Sequence, residues 1–446
     1  MPERNVDAVV VGGGMAGLAA ADALAASGIS VAVIEAAPDV GGLARATVVG
    51  GEPIEPYYHH VFPQDRETLE LIARLGLSGR LEWLPASMGI LHRGRVLAFD
   101  SPLDLLRFSA VSPLDRVRMG AATAYQLVRR DRERLDAVSV GRDGPHWFGR
   151  RGYAVLWEPL LTAKFGPYAD RVAMAWLVAR IRQRAGGRRA TGDRLGYLRG
   201  SLGTLAAALA ADLDGRGVAI MTGTRVGSIV PSDGGFVVSV DGDTEGTIRS
   251  RAVVACTSGG ILGSVVHLPP AYARAMAAIP HRGIACVLVE MDRPLSPYYW
   301  INVTDRLGMG CVAIIEHTNL VDPERYGGRS LLYLAHYVGE GDPAWTASAE
   351  DLVRAAVPGI RAVNPRFDEG WITGLHLARD RFAQPVPLVG GPMPSLTVET
   401  GIPGLLHASL AHVYPDDRGV SKAIGAGRRA AAGALAHLAT AGAPRP

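Results

Sequence analysis

A chain of 446 residues exceeds what one simple hydrophobic core supports, and with 48% hydrophobic against 20% charged residues it is neither disordered nor fibrous. A net charge of +3, spread over scattered arginines, argues against a nucleic-acid surface, which needs a concentrated basic face. Cys256, Cys286 and Cys311 are too far apart for a CxxC or Cys/His metal site or a disulfide framework, which points to a reducing cytoplasm and no metal.

The first 35 residues carry the clearest signal. An apolar strand at 6–11 meets Gly12-Gly13-Gly14-Met15-Ala16-Gly17, then an Ala-rich helix, then a second strand ending in Glu35. This is the pattern of a dinucleotide-binding βαβ unit. Gly12 suits the tight turn, Gly14 leaves room for a pyrophosphate, and Gly17 lets the helix approach the sheet. Met15 and Ala16 open the helix, whose unpaired N–H groups and positive dipole end face the phosphates. Glu35, eighteen residues after Gly17, is placed to accept hydrogen bonds from both ribose hydroxyls.

Next, Gly41-Gly42-Leu43-Ala44-Arg45 allows a second close backbone approach to a ligand, with Arg45 supplying a charge for phosphate. Residues 55–62 are aromatic and His-rich ahead of a helix at 65–75. The region 101–135 reads as helices opened by Ser101-Pro102 and Ser112-Pro113, each an N-cap followed by proline. Helix continues over 145–185. A helix near 201–214 leads to a strand at 217–221, hairpins around Gly234-Gly235 and Asp241-Gly242, and a core strand at 252–256. Strands dominate 283–340, and an Ala-rich helix covers 420–438 before a frayed tail. The first strand leaves no room for a signal peptide, and no apolar run is long enough to span a membrane. One glycine fingerprint without a second fits FAD better than a pair of flavin and nicotinamide sites.

With these segments in place the sequence resembles the FAD-dependent amine oxidase/protoporphyrinogen oxidase-like superfamily, which also holds UDP-galactopyranose mutases and carotenoid-type desaturases. The resemblance rests on the βαβ unit with Glu35 and on the glycine motif running to Arg45. Further along it rests on Thr224-Arg225-Val226 and on Tyr414-Pro415-Asp416-Asp417-Arg418-Gly419-Val420. It implies that the Val226 backbone meets the adenine, and that Tyr414, Arg418, Gly419 and Val420 close over the flavin. Tyr58-His59-His60, Trp157 and Lys164-Phe165-Gly166 resemble bacterial members of the protoporphyrinogen oxidase-like kind.

The cofactor-binding set expected is Gly12, Gly14, Met15, Ala16, Gly17, Glu35, Gly42, Leu43, Arg45, Val226, Arg418, Gly419 and Val420. Candidates for catalysis are His60, His59, Lys164 (one of two lysines, with Lys422, in the chain) and Tyr414. The two histidines sit together on an irregular segment near the second glycine motif. Against that role, one histidine packed and one solvated is an even alternative, and a surface or ion-paired Lys164 is the commoner outcome. Trp157, Tyr298 and Arg379 are candidates to bind substrate.

The expected fold is α/β: a discontinuous Rossmann-type FAD-binding domain (1–80, 196–265 and 386–446) with a second α+β substrate domain (81–195 and 266–385). The substrate domain holds an antiparallel sheet and a helical section. Three functions compete. An oxidoreductase moves hydride from a C–N or C–C bond of a small molecule to flavin N5. A redox-neutral flavoenzyme acts on a nucleotide sugar, like the mutases. An escort-type binding protein performs no chemistry. The partners expected are a small-molecule substrate, no nucleic acid and no integral membrane segment, with a homodimer left open.

Overall fold

The computed structural model describes residues 4–129, 131–189, 192–305 and 310–441; the expected tail at 443–446 lies outside them. Ala8, Val9, Val10 and Val11 are all buried, as a strand covered on both faces requires. They belong to β1 (Arg4–Val11), which feeds α1 (Met15–Ala26) and then β2 (Val31–Ile34).

β1 sits in the middle of a seven-stranded sheet, parallel to β2 on one side and to Gly246–Ala255 on the other. Ala219–Met221 extends the sheet beyond β2. The meander Thr224–Ser232, Gly235–Gly242 and Gly246–Ala255 forms the other edge, and Leu405–His407 joins beside residues 253–255. One face is covered by α1, Ser201–Gly215 and the terminal helix Val420–Ala441. The small residues of that helix have a steric reason: a Cβ on Gly427 would lie 1.9 Å from the Ala16 carbonyl oxygen, so only glycine lets the two backbones meet.

A second seven-stranded sheet runs in the order Ile372–Pro385, His281–Met291, Ser330–Val338, Cys311–Glu316, Trp300–Val303, Met88–His92 and Arg95–Ala98. It is antiparallel except where Trp300–Val303 meets Met88–His92. Its middle strands are buried on both faces. One face packs against Ala349–Val363, the other against an aromatic layer holding Tyr57, Tyr197, Tyr299 and Tyr333.

Between the sheets lies the helical section. Ser101 and Ser112 cap their helices as expected, Ser101 in a reciprocal arrangement with Asp104. The section differs from expectation at its start, because 81–98 is three strands rather than helix. The turn at Arg93 (φ 52°) and Gly94 (φ 69°) has the two positive angles of a tight hairpin, a signal carried by a lone glycine in the sequence.

Candidate functional site

The glycine loop is a seat defined by contacts that forbid any Cβ. Gly12 (φ +101°) passes so close to the Cys256 carbonyl that a Cβ would sit 2.8 Å from its oxygen, and one on Gly17 would lie 1.8 Å from the Gly12 oxygen. Gly14 is different: its nearest would-be contact is Gly42 Cα at 3.8 Å, so its openness faces the cavity and is not needed for packing. The second glycine motif docks on the first, with Gly41 N–H donating to the Gly13 oxygen at 2.9 Å. No side chain caps the first turn of α1, which leaves its N–H groups to a ligand.

Glu35 accepts from the Gly13 N–H at 2.6 Å and the Ala37 N–H at 2.7 Å, one on each oxygen. These bonds fix the carboxylate at the cavity wall, and each oxygen keeps a lone pair for a hydroxyl. Thr224 N–H donates to the Glu35 carbonyl at 2.9 Å, which brings Val226 to the same wall. Arg45 lies over the Tyr57 ring at 5.9 Å and donates to the Gly42 carbonyl at 3.3 Å.

From this seat one cavity of about 1300 Å³ runs to a chamber walled by Tyr58, Phe62, Trp157, Trp176 and Trp300. That volume exceeds the ~300–1,000 Å³ of a single drug-sized pocket, as a chamber for a dinucleotide and a second molecule should. Gly42, Leu43, Gly419, Val420 and Ala423 line the passage. The open Gly14 backbone, the uncapped helix turn and the anchored Glu35 together fit the pyrophosphate and ribose of FAD.

A buried charge cluster occupies the chamber. Lys164 Nζ lies 2.7 and 2.9 Å from the two oxygens of Asp417, which also accepts from Trp176 Nε1 at 3.3 Å and has Arg180 at 3.7 Å. Burial opposes ionisation of Asp417, but Lys164 and Arg180 outweigh it and hold its carboxyl well below the usual range. Burial pulls the Lys164 ammonium down against the pull of Asp417. Arg418 donates to Tyr337 Oη at 2.7 Å, and Tyr58 Oη is 3.4 Å from the same oxygen. Although burial raises it, Tyr337 is drawn below its ordinary value by Arg418 and Lys164.

His59 and His60 line the same chamber. Burial and the Arg418 charge push His59 down to about 4, and burial with Arg184 and Arg180 takes His60 well below its ordinary value. Both are therefore neutral near pH 7. His59 Nδ1 is 2.7 Å from the Tyr57 carbonyl, which must accept, so the proton is on Nδ1 and Nε2 carries the lone pair. Trp157 ends a π-helical turn (Tyr153–Trp157), a distortion frequent at functional sites, and its buried Nε1 has no partner among the described residues.

Three expected residues fall elsewhere. Tyr414 packs in the helical core, hydrogen-bonds Asp136 and lies under Arg132, so it does not reach the cavity. Arg379 is held at the sheet edge by the Ala347 carbonyl. Tyr298 packs beside Gly89, and its neighbour Trp300, not Tyr298, faces the chamber. Asp417 was noted only inside the Tyr414–Val420 motif, with no role of its own, and Arg180, Arg184, Trp176 and Tyr337 went unremarked in the sequence. Arg180 and Arg184 are spaced i,i+4, but Arg182 and Gln183 between them hide that pair in a polar run. The pairing of Asp417 had no local signal, because its partners lie about 240 to 250 residues away.

The sequence pattern of flavin containing amine oxidoreductases matches residues 15–435. The chain belongs to that family. This flavin amine oxidase-family chain is thus an FAD-dependent oxidoreductase. A putrescine oxidase from Kocuria rosea is 45% identical to it over 71 residues, which are 16% of this chain and 15% of that relative's length. A candidate protoporphyrinogen oxidase from an Exiguobacterium species superposes with a TM-score of 0.74 at 20% identity, over 96% of this chain and 98% of that one. Reduced UDP-galactopyranose mutase superposes with a TM-score of 0.73 at 14% identity, over 98% of both chains. Likeness at these identities establishes the shared fold, a mixed helix-and-sheet architecture with an antiparallel second sheet.

Proposed function

We propose that this family member is an oxidase or dehydrogenase that removes a hydride from a C–N or C–C bond of a small molecule held in the aromatic chamber. The observation that carries this reading is the single cavity joining the glycine seat to that chamber. In it, residues 1–80, 196–265 and 386–446 hold the cofactor, and 81–195 with 266–385 close over the substrate. Bound FAD supplies the hydride acceptor.

The remaining work falls to side chains. Tyr58, Phe62, Trp157, Trp176 and Trp300 exclude water and sandwich the substrate. His59 Nε2 accepts a hydrogen bond and, with a value of about 4, orients its donor instead of abstracting the proton. Lys164, Arg180, Arg184 and Arg418 outnumber Asp65, Asp380 and Asp417 there, so an uncharged or anionic reacting end suits the chamber better than an ammonium.

The test is anaerobic mixing of the purified yellow protein with candidate substrates while flavin absorbance is followed. Bleaching is the expected result. Arg180 and Arg184, one helical turn apart on the cavity wall, favour a second reading in which they bind the diphosphate of a nucleotide sugar. Turnover seen only after dithionite reduction would replace the first reading with that one. Colourless protein that FAD cannot reconstitute would defeat both.

A further inference from the structure

Ten large hydrophobic side chains are exposed among the described residues, and seven of them lie within 103–128. They are not scattered. On the helix Pro113–Val128, Leu114 (78% exposed), Val117 (62%), Tyr125 (56%) and Val128 (73%) recur at helical spacing on the side turned to solvent. Leu103 and Leu106 add to them from the preceding helix Pro102–Arg107, which packs against it. The helix thus carries an outward apolar stripe, the reverse of what a surface helix of a globular protein needs.

Two further observations say what covers it. The first is charge. Residues 101–151 contain ten arginines against six aspartates and glutamates, while the whole chain exceeds neutrality by three, so the chain's positive excess resides in this segment. Arg107 and Arg118 are exposed on the two helices, and the turn bearing exposed Arg150 and Arg151 abuts Arg118, whose Cδ would be 3.3 Å from a Cβ on Gly149. The second is position. The same helices line the cavity through Leu105, Gly120, Ala124 and Leu127, and Ala124 and Leu127 are also exposed, so the chamber's mouth opens within the patch.

We infer that this face docks on an anionic lipid bilayer, the apolar stripe entering the headgroup region and the arginines pairing with lipid phosphates. A second copy of the chain fits poorly, because a two-fold contact would set the arginines against themselves. Nucleic acid fits poorly, because the centre of the patch is apolar. Docking would set the cavity mouth against lipid, and it is independent of which reaction the chamber performs.

The experiment is co-sedimentation of the FAD-loaded protein with vesicles of phosphatidylcholine containing phosphatidylglycerol, and with vesicles of phosphatidylcholine alone. The protein is expected to pellet with the anionic vesicles, and salt should weaken that binding. The Leu114→Asp/Val117→Asp double variant, whose residues do not line the cavity, should partition about tenfold less or worse with its flavin spectrum retained. Arg107→Gln/Arg118→Gln should weaken binding to the anionic vesicles and leave the phosphatidylcholine result unchanged. Protein that stays in the supernatant overturns the inference, as does an Asp variant that pellets like the unaltered chain. So does a dimer in sedimentation velocity that the Asp variant dissociates, which would give the face to a second copy.

Discussion

The two ends of the cavity are built on opposite principles. The glycine seat is made of backbone. Its shape follows from side chains that are absent at Gly12, Gly14 and Gly17, with one carboxylate, Glu35, pinned by two N–H groups. The far chamber is made of side chains from segments distant in sequence: Tyr58, Lys164, Arg180, Trp300, Tyr337 and Asp417. The seat tolerates no added atom at Gly12 or Gly17, and a chamber of side chains tolerates replacement wherever charge and volume are balanced.

The largest test of that contrast is Gly17→Ala. Its Cβ would overlap the Gly12 oxygen at 1.8 Å, so α1 must move off the sheet. The expected cost is on the order of 4 kcal/mol, with colourless protein or none recovered, read by the flavin-to-protein absorbance ratio. A yellow, stable Gly17→Ala variant would show the seat to be more plastic than its contacts say.

In the chamber, Lys164→Met leaves Asp417 buried with Arg180 as its remaining close cation, at 3.7 Å. A loss of about 3 kcal/mol is expected in denaturant unfolding. Lys164→Met/Asp417→Leu should recover most of it, because the pair removed together leaves no uncompensated charge. If the double variant regains stability but not turnover, the pair serves the reaction; if it regains both, the pair is structural.

pH adds a further test, because buried titratable groups lie in the chamber, around the second sheet and, at His407 and His412, on and just after the last strand of the first sheet. Burial holds His59, His336 and His407 at about 4, and His317 and His412 at about 3. Below their ordinary value of 6.5 the unfolded chain takes protons that the folded chain refuses, so these five favour folding more as pH rises toward 6.5. Burial raises Glu55 and Glu316 to about 7 and Asp65 to about 6, and these stay protonated in the folded chain, so they weaken folding over the same window. The histidines outnumber them. The thermal midpoint should rise from about pH 5 and flatten near about pH 7, and a midpoint falling across that range would contradict the burial of the histidines.

The smallest effect belongs to Tyr414→Phe. It removes the hydrogen bond to Asp136 and should cost about 1 kcal/mol, with flavin spectrum and turnover unchanged. A changed flavin spectrum would return Tyr414 to the site.

Legibility followed the same division. The βαβ unit and the Ser101 and Ser112 caps depend on interactions within a few dozen residues and leave a local pattern; Gly41-Gly42 was legible as a close backbone approach to a ligand, and its docking on the first glycine loop was not. Of the chamber, His59, His60, Trp157 and Lys164 were legible as residue types out of place in their segments, and they do line it. Tyr298, Arg379 and Tyr414 were not separable from their neighbours, since one residue's shift along a strand or loop reverses what a side chain faces. The hairpin at 88–98 escaped because its turn is marked by the single Gly94 and its other partner, 300–303, is distant in sequence.

By itself the sequence determined the backbone-built half of this protein, the dinucleotide seat and the family, because absent side chains leave a local periodic trace. Only the tertiary structure decided that Lys164 meets Asp417, that Trp300 and not Tyr298 walls the chamber, and that the 113–128 helix turns its apolar stripe outward. Those outcomes depend on which distant surfaces come to face one another, and no local pattern of residues records that.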